Sequence, residues 1–186
     1  MKLKLTTLVL FFAMSVIILA ALPLAGFSQI PAVKMELTSP AFKQAGTIPD
    51  QFTCKGENTS PALSWSGEPD GTKSFAVVAE DPDAPKGTFT HWVVYNIDPG
   101  KMGLPANLQK SDHLDGLMQG KNDAGVTGYS GPCPPKGNGP HRYFFNILAL
   151  DITLNLQSGA DKAAVENAMT GHKLAQGDLM GLYEIK

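Results

Sequence analysis

Proline and glycine recur so often that they divide most of this chain into short segments. The 186 residues include 14 prolines and 19 glycines, and both residue types interrupt helices and favour turns. Between them lie short apolar runs at residues 62–65, 74–79, 91–97, 143–150 and 179–185. Such runs, bounded by turn residues, are typical of β-strands. The pattern therefore predicts a mainly β protein, either a sandwich or a barrel.

One segment has the spacing of an amphipathic helix. In residues 158–175, SGADKAAVENAMTGHKLA, Ser158 or Asp161 can cap the first turn and Gly171 can interrupt or end the helix. Between them, four apolar residues form a stripe at helical spacing: Ala164, Val165, Ala168 and Met169. We expect one or two short helices near the C-terminus. The polar stretch 101–121 has no such period, and we expect it to be a surface loop.

The N-terminal residues 1–28 have the features of a secretory signal peptide. Two lysines precede an apolar run at residues 8–22, and small residues including Ser28 stand before Gln29. We expect cleavage there, export to the periplasm or the medium, and a single domain at residues 29–186. The alternative is a retained N-terminal anchor, because the apolar run approaches the length that spans a bilayer.

The charge of the mature part argues against a nucleic-acid partner. Residues 1–28 hold two of the 15 basic residues and none of the 17 acidic ones, which leaves 13 against 17 and a net charge of −4. A mildly acidic chain without a block of basic residues lacks the electrostatic footprint of a nucleic-acid-binding protein.

The two cysteines, Cys54 and Cys133, lie in segments that contain glycine and proline. In an exported chain they can pair, and the bond would close a loop of 79 positions, which the chain-entropy model values at roughly 4 to 5 kcal/mol. The alternative is two unpaired, partly buried thiols, since the sequence does not show whether the two Cα atoms approach each other.

Two of the predicted strands begin with a histidine directly after a turn. In the first strand, alternation places a histidine and three apolar residues on one face: His91, Val93, Tyr95 and Ile97. In the second, the corresponding face carries His141, Tyr143, Phe145 and Ile147. Trp92 and Arg142 point to the opposite faces of their strands.

The loops that precede these two strands are stiff. In DPDAP, residues 81–85, Pro82 and Pro85 fix their own φ angles and hold Asp83 between two constrained turns. In GPCPPKGNGP, residues 131–140, four prolines have no backbone donor and three glycines allow close approach. Stiff loops lose little entropy on binding, and small pockets form where such loops meet strand ends. We therefore expect a pocket at this place.

Three segments, EDPDAP, THWVVYN and GPCPPKGNGPHRYFF, resemble the phosphatidylethanolamine-binding protein family, also called the Raf kinase inhibitor protein family, in its shorter bacterial and archaeal branch. FTCKGENTSPALSW and GHKLAQGDLMGLYEI are also similar to that branch. The resemblance implies a Greek-key antiparallel β-sandwich with a small cavity for phosphate-like anions and phospholipid head groups. It implies nine ligand-binding residues: Asp81, Asp83, Pro85, His91, Gly131, Pro134, Pro135, His141 and Tyr143. It also implies a structural role for Arg142.

The charges of this residue set favour a zwitterionic ligand. His91, His141, the Tyr143 hydroxyl and loop amides can donate hydrogen bonds to a phosphate. Two bare aspartates would repel the same phosphate, so we expect at least one to be neutralised by Arg142, by a protonated histidine or by backbone amides. A remaining aspartate can then meet an ammonium group such as that of ethanolamine.

The sequence thus predicts a non-catalytic, exported binding protein for a phosphorylated small molecule or a phospholipid head group, without a metal or other cofactor. Two histidines and two carboxylates can ligate a metal in principle, but no tight metal-binding spacing is present. Ser130 with His141 and an aspartate lacks the nucleophile elbow of a hydrolase. The alternative is an interaction protein that inhibits a partner protease or kinase through the mouth of the cavity.

Overall fold

Eleven β-strands and one α-helix make up the regular structure of the described part of the chain. The computed structural model describes residues 33–186, and the predicted signal segment lies outside them. The strands are β1 (Val33–Lys34), β2 (Glu36–Thr38), β3 (Gly46–Thr47), β4 (Leu63–Ser66), β5 (Ser74–Asp81), β6 (Phe89–Ile97), β7 (Gly103–Leu104), β8 (His113–Leu114), β9 (Leu117–Gln119), β10 (His141–Leu150) and β11 (Lys173–Tyr183). The helix α1 spans Lys162–Met169, and a 3-10 turn spans Asp50–Phe52. Within this range, no helix has the length and apolar character needed to cross a membrane.

The strands form two sheets. The larger has the order β1-β11-β10-β5-β6-β9-β8, and β3 also pairs with β11. The smaller has the order β2-β4-β7. Neighbouring strands run antiparallel, except that β1 and β3 run parallel to β11. The prediction of a mainly β protein is confirmed.

The central strands of the larger sheet are buried on both faces. On the face towards the smaller sheet, Trp65 of β4 packs against Phe75 of β5 with ring centroids 5.5 Å apart. On the opposite face, Val165 and Met169 of α1 pack with Tyr95 of β6. Cover on both sides explains why β5 and β6 are almost continuously apolar instead of alternating.

The helix α1 begins after Asp161, whose side chain accepts the backbone N–H of Ala164 at 2.9 Å. Asp161 is therefore the cap, and Ser158 is not. The helix ends at Met169, and Gly171 follows with φ +82°. The last residues of the predicted helical segment, from Lys173 onward, belong to β11 instead.

The expectation of a surface loop at residues 101–121 was wrong in part, because three short strands lie within it. Leu104, Leu117 and Gln119 are buried there. The Gln119 amide accepts the indole N–H of Trp92 at 2.8 Å and donates to two backbone carbonyls at 2.7 and 2.8 Å. Its hydrogen bonds are therefore satisfied inside the protein. Polarity alone predicted exposure for a residue that the fold buries.

Candidate ligand-binding cavity

A cavity of about 360 Å³ lies where the loop after β5 meets the loop before β10. Seven of the nine ligand-binding residues predicted from the sequence line it: Asp81, Pro85, His91, Gly131, Pro134, Pro135 and His141. Asp83 and Tyr143 are not among the lining residues. Two larger surface grooves lie elsewhere in the described part, at about 540 and 480 Å³. We place the candidate site in the smaller cavity because buried titratable side chains converge there.

A β-bulge in β6 decides which way His91 points. In the pairing with β5, Trp92 lies opposite Ala79 and Thr90 lies opposite Glu80, so His91 is an extra residue between them. A bulge of this kind locally breaks the alternation of side chains. His91 and Trp92 therefore both face the core between the two sheets.

The prediction that His91, Val93, Tyr95 and Ile97 share a face was wrong. Val93 and Tyr95 belong to the core beneath α1. The His91 ring instead lies 5.3 Å, between centroids, from Tyr143 in the core between the sheets. Ile97 also joins that core, after a second shift in register near the end of β6. The alternation rule failed because it assumes a strand without bulges.

One hydrogen bond sets the ring orientation of His91, which is 7% exposed. Its Nδ1 lies 2.6 Å from the backbone carbonyl oxygen of Ser130. A carbonyl can only accept, so Nδ1 carries the proton and donates it. Burial lowers the pKa of His91 below its usual 6.5, against the opposing effects of the Ser130 carbonyl and the charges of Asp81 and Asp123. The neutral ring has its lone pair on Nε2.

The second histidine is held by a carboxylate. The Nδ1 of His141 lies 2.8 Å from Oδ2 of Asp81, and each of the two side chains is only 5% exposed. The other oxygen of Asp81, Oδ1, accepts the backbone N–H of Asp83 at 2.8 Å. Both oxygens of Asp81 are thus engaged, which fixes its orientation and that of the His141 ring.

The alternation predicted for the second strand is confirmed. In β10 His141, Tyr143, Phe145 and Ile147 are buried, while Arg142 is exposed. The strand pairs in continuous register with β11 from His141 as far as Ala149, where a shift occurs. Without a bulge at its start, the period of two holds through the site.

Asp83 is paired with Arg142 and does not reach the cavity. The Arg142 guanidinium donates to both carboxylate oxygens at 2.7 and 2.9 Å, and the Arg142 backbone N–H donates to Oδ2 at 2.9 Å. These hydrogen bonds lower the pKa of Asp83 from 3.8 to about 2. Of the neutralising partners considered from the sequence, Arg142 is the one that meets Asp83. The pair ties the DPDAP loop to the start of β10.

Tyr143 lies beneath the two histidines, 2% exposed. Its ring centroid is 5.3 Å from that of His91 and 6.5 Å from that of His141. Its hydroxyl is buried without a hydrogen-bond partner among the described residues. Burial, and then the charge of Asp81, raise the pKa of this hydroxyl well above its usual value. The hydroxyl therefore stays protonated and able to donate.

Two links hold the part of the cavity wall that contains Gly131 and Cys133. Cys54 and Cys133 form a disulfide, and both are exposed where they line the cavity. Asn58, with φ +56°, accepts the backbone N–H of Gly131 on its side-chain oxygen at 2.6 Å. A Cβ at Gly131 would come within 2.2 Å of the Phe52 carbonyl oxygen, so only glycine fits.

Several lining residues were not predicted from the sequence. They are Cys54, Asn58, Ala84, Phe89, Ala124, Ser130 and Cys133. For Cys54 and Cys133 the sequence left a disulfide and two unpaired thiols open, and the structure has the disulfide. Ser130 acts through its backbone carbonyl and Asn58 through a contact 73 positions along the chain. Neighbouring residues in the sequence predict neither contact. They indicate only that the Asn of the GEN turn can adopt a positive φ.

Comparison with known proteins places these residues in a family. Residues 38–184 match the family model "Phosphatidylethanolamine-binding protein". A protein from Methanothermobacter thermautotrophicus named UPF0098 protein is 51% identical over 150 residues, which cover 80% of this chain and 98% of that protein. Another of the same name from Aquifex aeolicus is 48% identical over 151 residues, covering 81% and 88% of the two chains.

A solved structure has the same fold. The crystal structure of Escherichia coli YbcL, described as a new member of the mammalian PEBP family, superposes with a TM-score of 0.77 at 38% sequence identity. The match covers 82% of this chain and 99% of YbcL.

Proposed function

This chain belongs to the phosphatidylethanolamine-binding protein family, and on that basis we propose that its cavity binds the phosphate-bearing end of a small molecule or a phospholipid head group without altering it chemically. The observation that carries the proposal is the convergence of His91 and His141 in one cavity of about 360 Å³. Each ring is fixed through Nδ1 by a protein acceptor. The site is therefore preorganised before any ligand arrives.

The remaining walls favour a ligand with an organic part over a bare ion. Six lining residues offer apolar surface: Ala84, Pro85, Phe89, Ala124, Pro134 and Pro135. Pockets that combine apolar walls with a few fixed polar groups are typical of small-molecule sites. A phosphate ester would place its charged end near the histidines and its organic part along these walls.

Binding without catalysis fits the position of Ser130. Its carbonyl, not its hydroxyl, meets His91, and its hydroxyl oxygen accepts from the Asn122 amide at 2.9 Å. No histidine therefore activates this hydroxyl as a base would in a hydrolase. Within residues 33–186, no group of three His, Cys, Asp or Glu side chains is arranged so that it could hold a metal ion.

Export is part of the proposal. The signal-like pattern of residues 1–28 and the Cys54–Cys133 disulfide both favour an oxidising compartment. Fractionation of expressing cells, with mass spectrometry of the purified N-terminus, tests this. We expect a mature chain that begins at Gln29 outside the cytoplasm, and a full-length cytoplasmic protein would contradict it.

Calorimetry with phosphoethanolamine near pH 6 tests the binding site. Each histidine-to-ligand hydrogen bond is charge-assisted, about 1.5–3 kcal/mol, so His91→Ala and His141→Ala should each weaken binding by roughly 10- to 100-fold. His172→Ala is the matched control, because His172 meets Asp151 at the same 2.8 Å but its side chain is 40% exposed and does not line the cavity. Unchanged affinity in both cavity variants, or equal loss in the control, would reject the assignment.

A further inference from the structure

The cavity has few free hydrogen-bond donors for a ligand. Gly131 was predicted as a ligand-binding residue, but its backbone N–H is already used by the Asn58 side chain at 2.6 Å. Pro134 and Pro135 line the same wall and have no N–H. Both oxygens of Asp81 are acceptors already in use. The loops therefore offer a phosphate fewer free backbone N–H donors than their glycine content suggests.

The histidine rings add an acceptor at His91. Nδ1 of each ring is engaged, and Nε2 has no protein partner among the described residues. Neither Nε2 is among the atoms that are both buried and without a partner, so each keeps some exposed area, and both histidines line the cavity. With Nδ1–H donating to Ser130, the neutral His91 ring presents a lone pair at Nε2. A fully ionised phosphate brings only lone pairs of its own, and the two would repel.

One proton resolves this mismatch at His91. Resting on the proposed function, we infer that the cavity binds phosphate monoesters in preference to diesters, together with one proton held between a ligand oxygen and Nε2 of His91. A monoester can supply that proton, because its second ionisation has a pKa of about 6. A diester has no such proton to give, and it has fewer terminal oxygens.

The charged and titratable groups around His91 agree with proton uptake. Asp81 of β5 and Asp123 of the loop after β9 are the acids that act on it. Tyr143 of β10 packs edge to face against the His91 ring, and His141 of the same strand stacks on Tyr143. The two acids favour the charged form of the His91 ring. Burial has the larger and opposite effect, so the ring is neutral when the cavity is empty. A phosphate dianion added to these two acids would be repelled, and the proton reduces that repulsion.

Calorimetry with a matched pair of ligands tests the inference. Phosphoethanolamine is the monoester, and glycerophosphoethanolamine is a diester with the same ammonium group. Titrations from about pH 5.5 to pH 8, in buffers of different ionisation enthalpy, give both Kd and the number of protons taken up. For the monoester we expect Kd to rise by about tenfold per pH unit above pH 6, with uptake of close to one proton at pH 7.5. We expect the diester to bind at least about tenfold more weakly near pH 6.

His91→Gln locates the proton. A glutamine amide donates without titrating, so this variant should bind phosphoethanolamine with a pH slope close to zero above the ligand's own ionisation. A wild-type Kd that does not change with pH, or a diester that binds as tightly as the monoester, would overturn the inference while leaving the proposed function intact. A full pH slope in a folded His91→Gln variant would also overturn it. No binding of either ligand at any pH would refute the proposed function itself.

Discussion

Removal of the Cys54–Cys133 disulfide should lower the free energy of unfolding by about 4.5 kcal/mol. The bond joins residues 79 positions apart, and the chain-entropy model gives about 4.5 kcal/mol at 25 °C for a loop of that length. Both cysteines are exposed, so replacement by serine leaves no core cavity and adds little further loss. The full effect therefore lies in the greater freedom of the unfolded chain.

Other contacts between the same segments should keep the folded state intact. The Cys54 N–H donates to the Pro132 carbonyl at 3.1 Å, and the Tyr129 hydroxyl donates to the Phe52 carbonyl at 2.8 Å. These bonds do not depend on the sulfur atoms. The variant should thus fold to the same structure, with a lower stability.

The assay is urea unfolding of the wild type and of the double variant Cys54→Ser/Cys133→Ser, followed by fluorescence of the buried Trp65 and Trp92. The wild type in reductant should match the variant, and the variant should not respond to reductant. The variant should also have a larger m-value, because its unfolded chain is less compact. A loss below about 1 kcal/mol, or a wild type unaffected by reductant, would refute the reasoning.

Further predictions concern single side chains. Asp161→Ala removes the acceptor for the Ala164 N–H at the start of α1 and should lower the free energy of unfolding in urea by about 1 kcal/mol. Asp83→Asn breaks the pair with Arg142 and should cost at most about 1 kcal/mol at neutral pH, because solvent screens this pair. The pKa of Asp83 is about 2 in the folded protein against 3.8 ordinarily. The contribution of ionised Asp83 to the free energy of unfolding is therefore complete above pH 3.8 and lost as the pH falls towards 2. Acid unfolding of the variant should lack this loss of stability. Tyr143→Phe removes a buried hydroxyl without a partner, so ligand-free stability should stay equal or rise by about 1 kcal/mol; a clear loss in thermal or urea unfolding would show that the hydroxyl is hydrogen-bonded in solution.

Much of the fold could be predicted from local sequence patterns. Turn residues bound the apolar runs that became β5 and β10, and the period of two correctly placed His141 and Tyr143 on the buried face of β10. Helical spacing and a capping residue located α1. These features depend on residues close in sequence, so the chain carries their signal directly.

The residues that line the cavity could be predicted less completely from the sequence. Of the nine residues predicted from the stiff loops and the family resemblance, seven line the cavity. Asp83 left the set because Arg142, its neighbour across the loop and strand, takes both of its carboxylate oxygens. Gly131 lines the cavity, but its N–H is used by Asn58. The residue type shows which hydrogen bonds a side chain can make. Its neighbours in the folded protein decide whether those donors and acceptors are still free for a ligand.

By itself, then, the sequence determined the strand-rich class, the helix, the stiff loops and the two histidines at strand starts, because turn chemistry and side-chain periodicity are local. Tertiary structure alone decided that a bulge turns His91 towards Tyr143, that Ser130 fixes its tautomer, and that Cys54 meets Cys133. Each of these depends on register between strands or on contacts tens of residues apart. Such contacts are selected by packing and hydrogen-bond satisfaction over the whole fold.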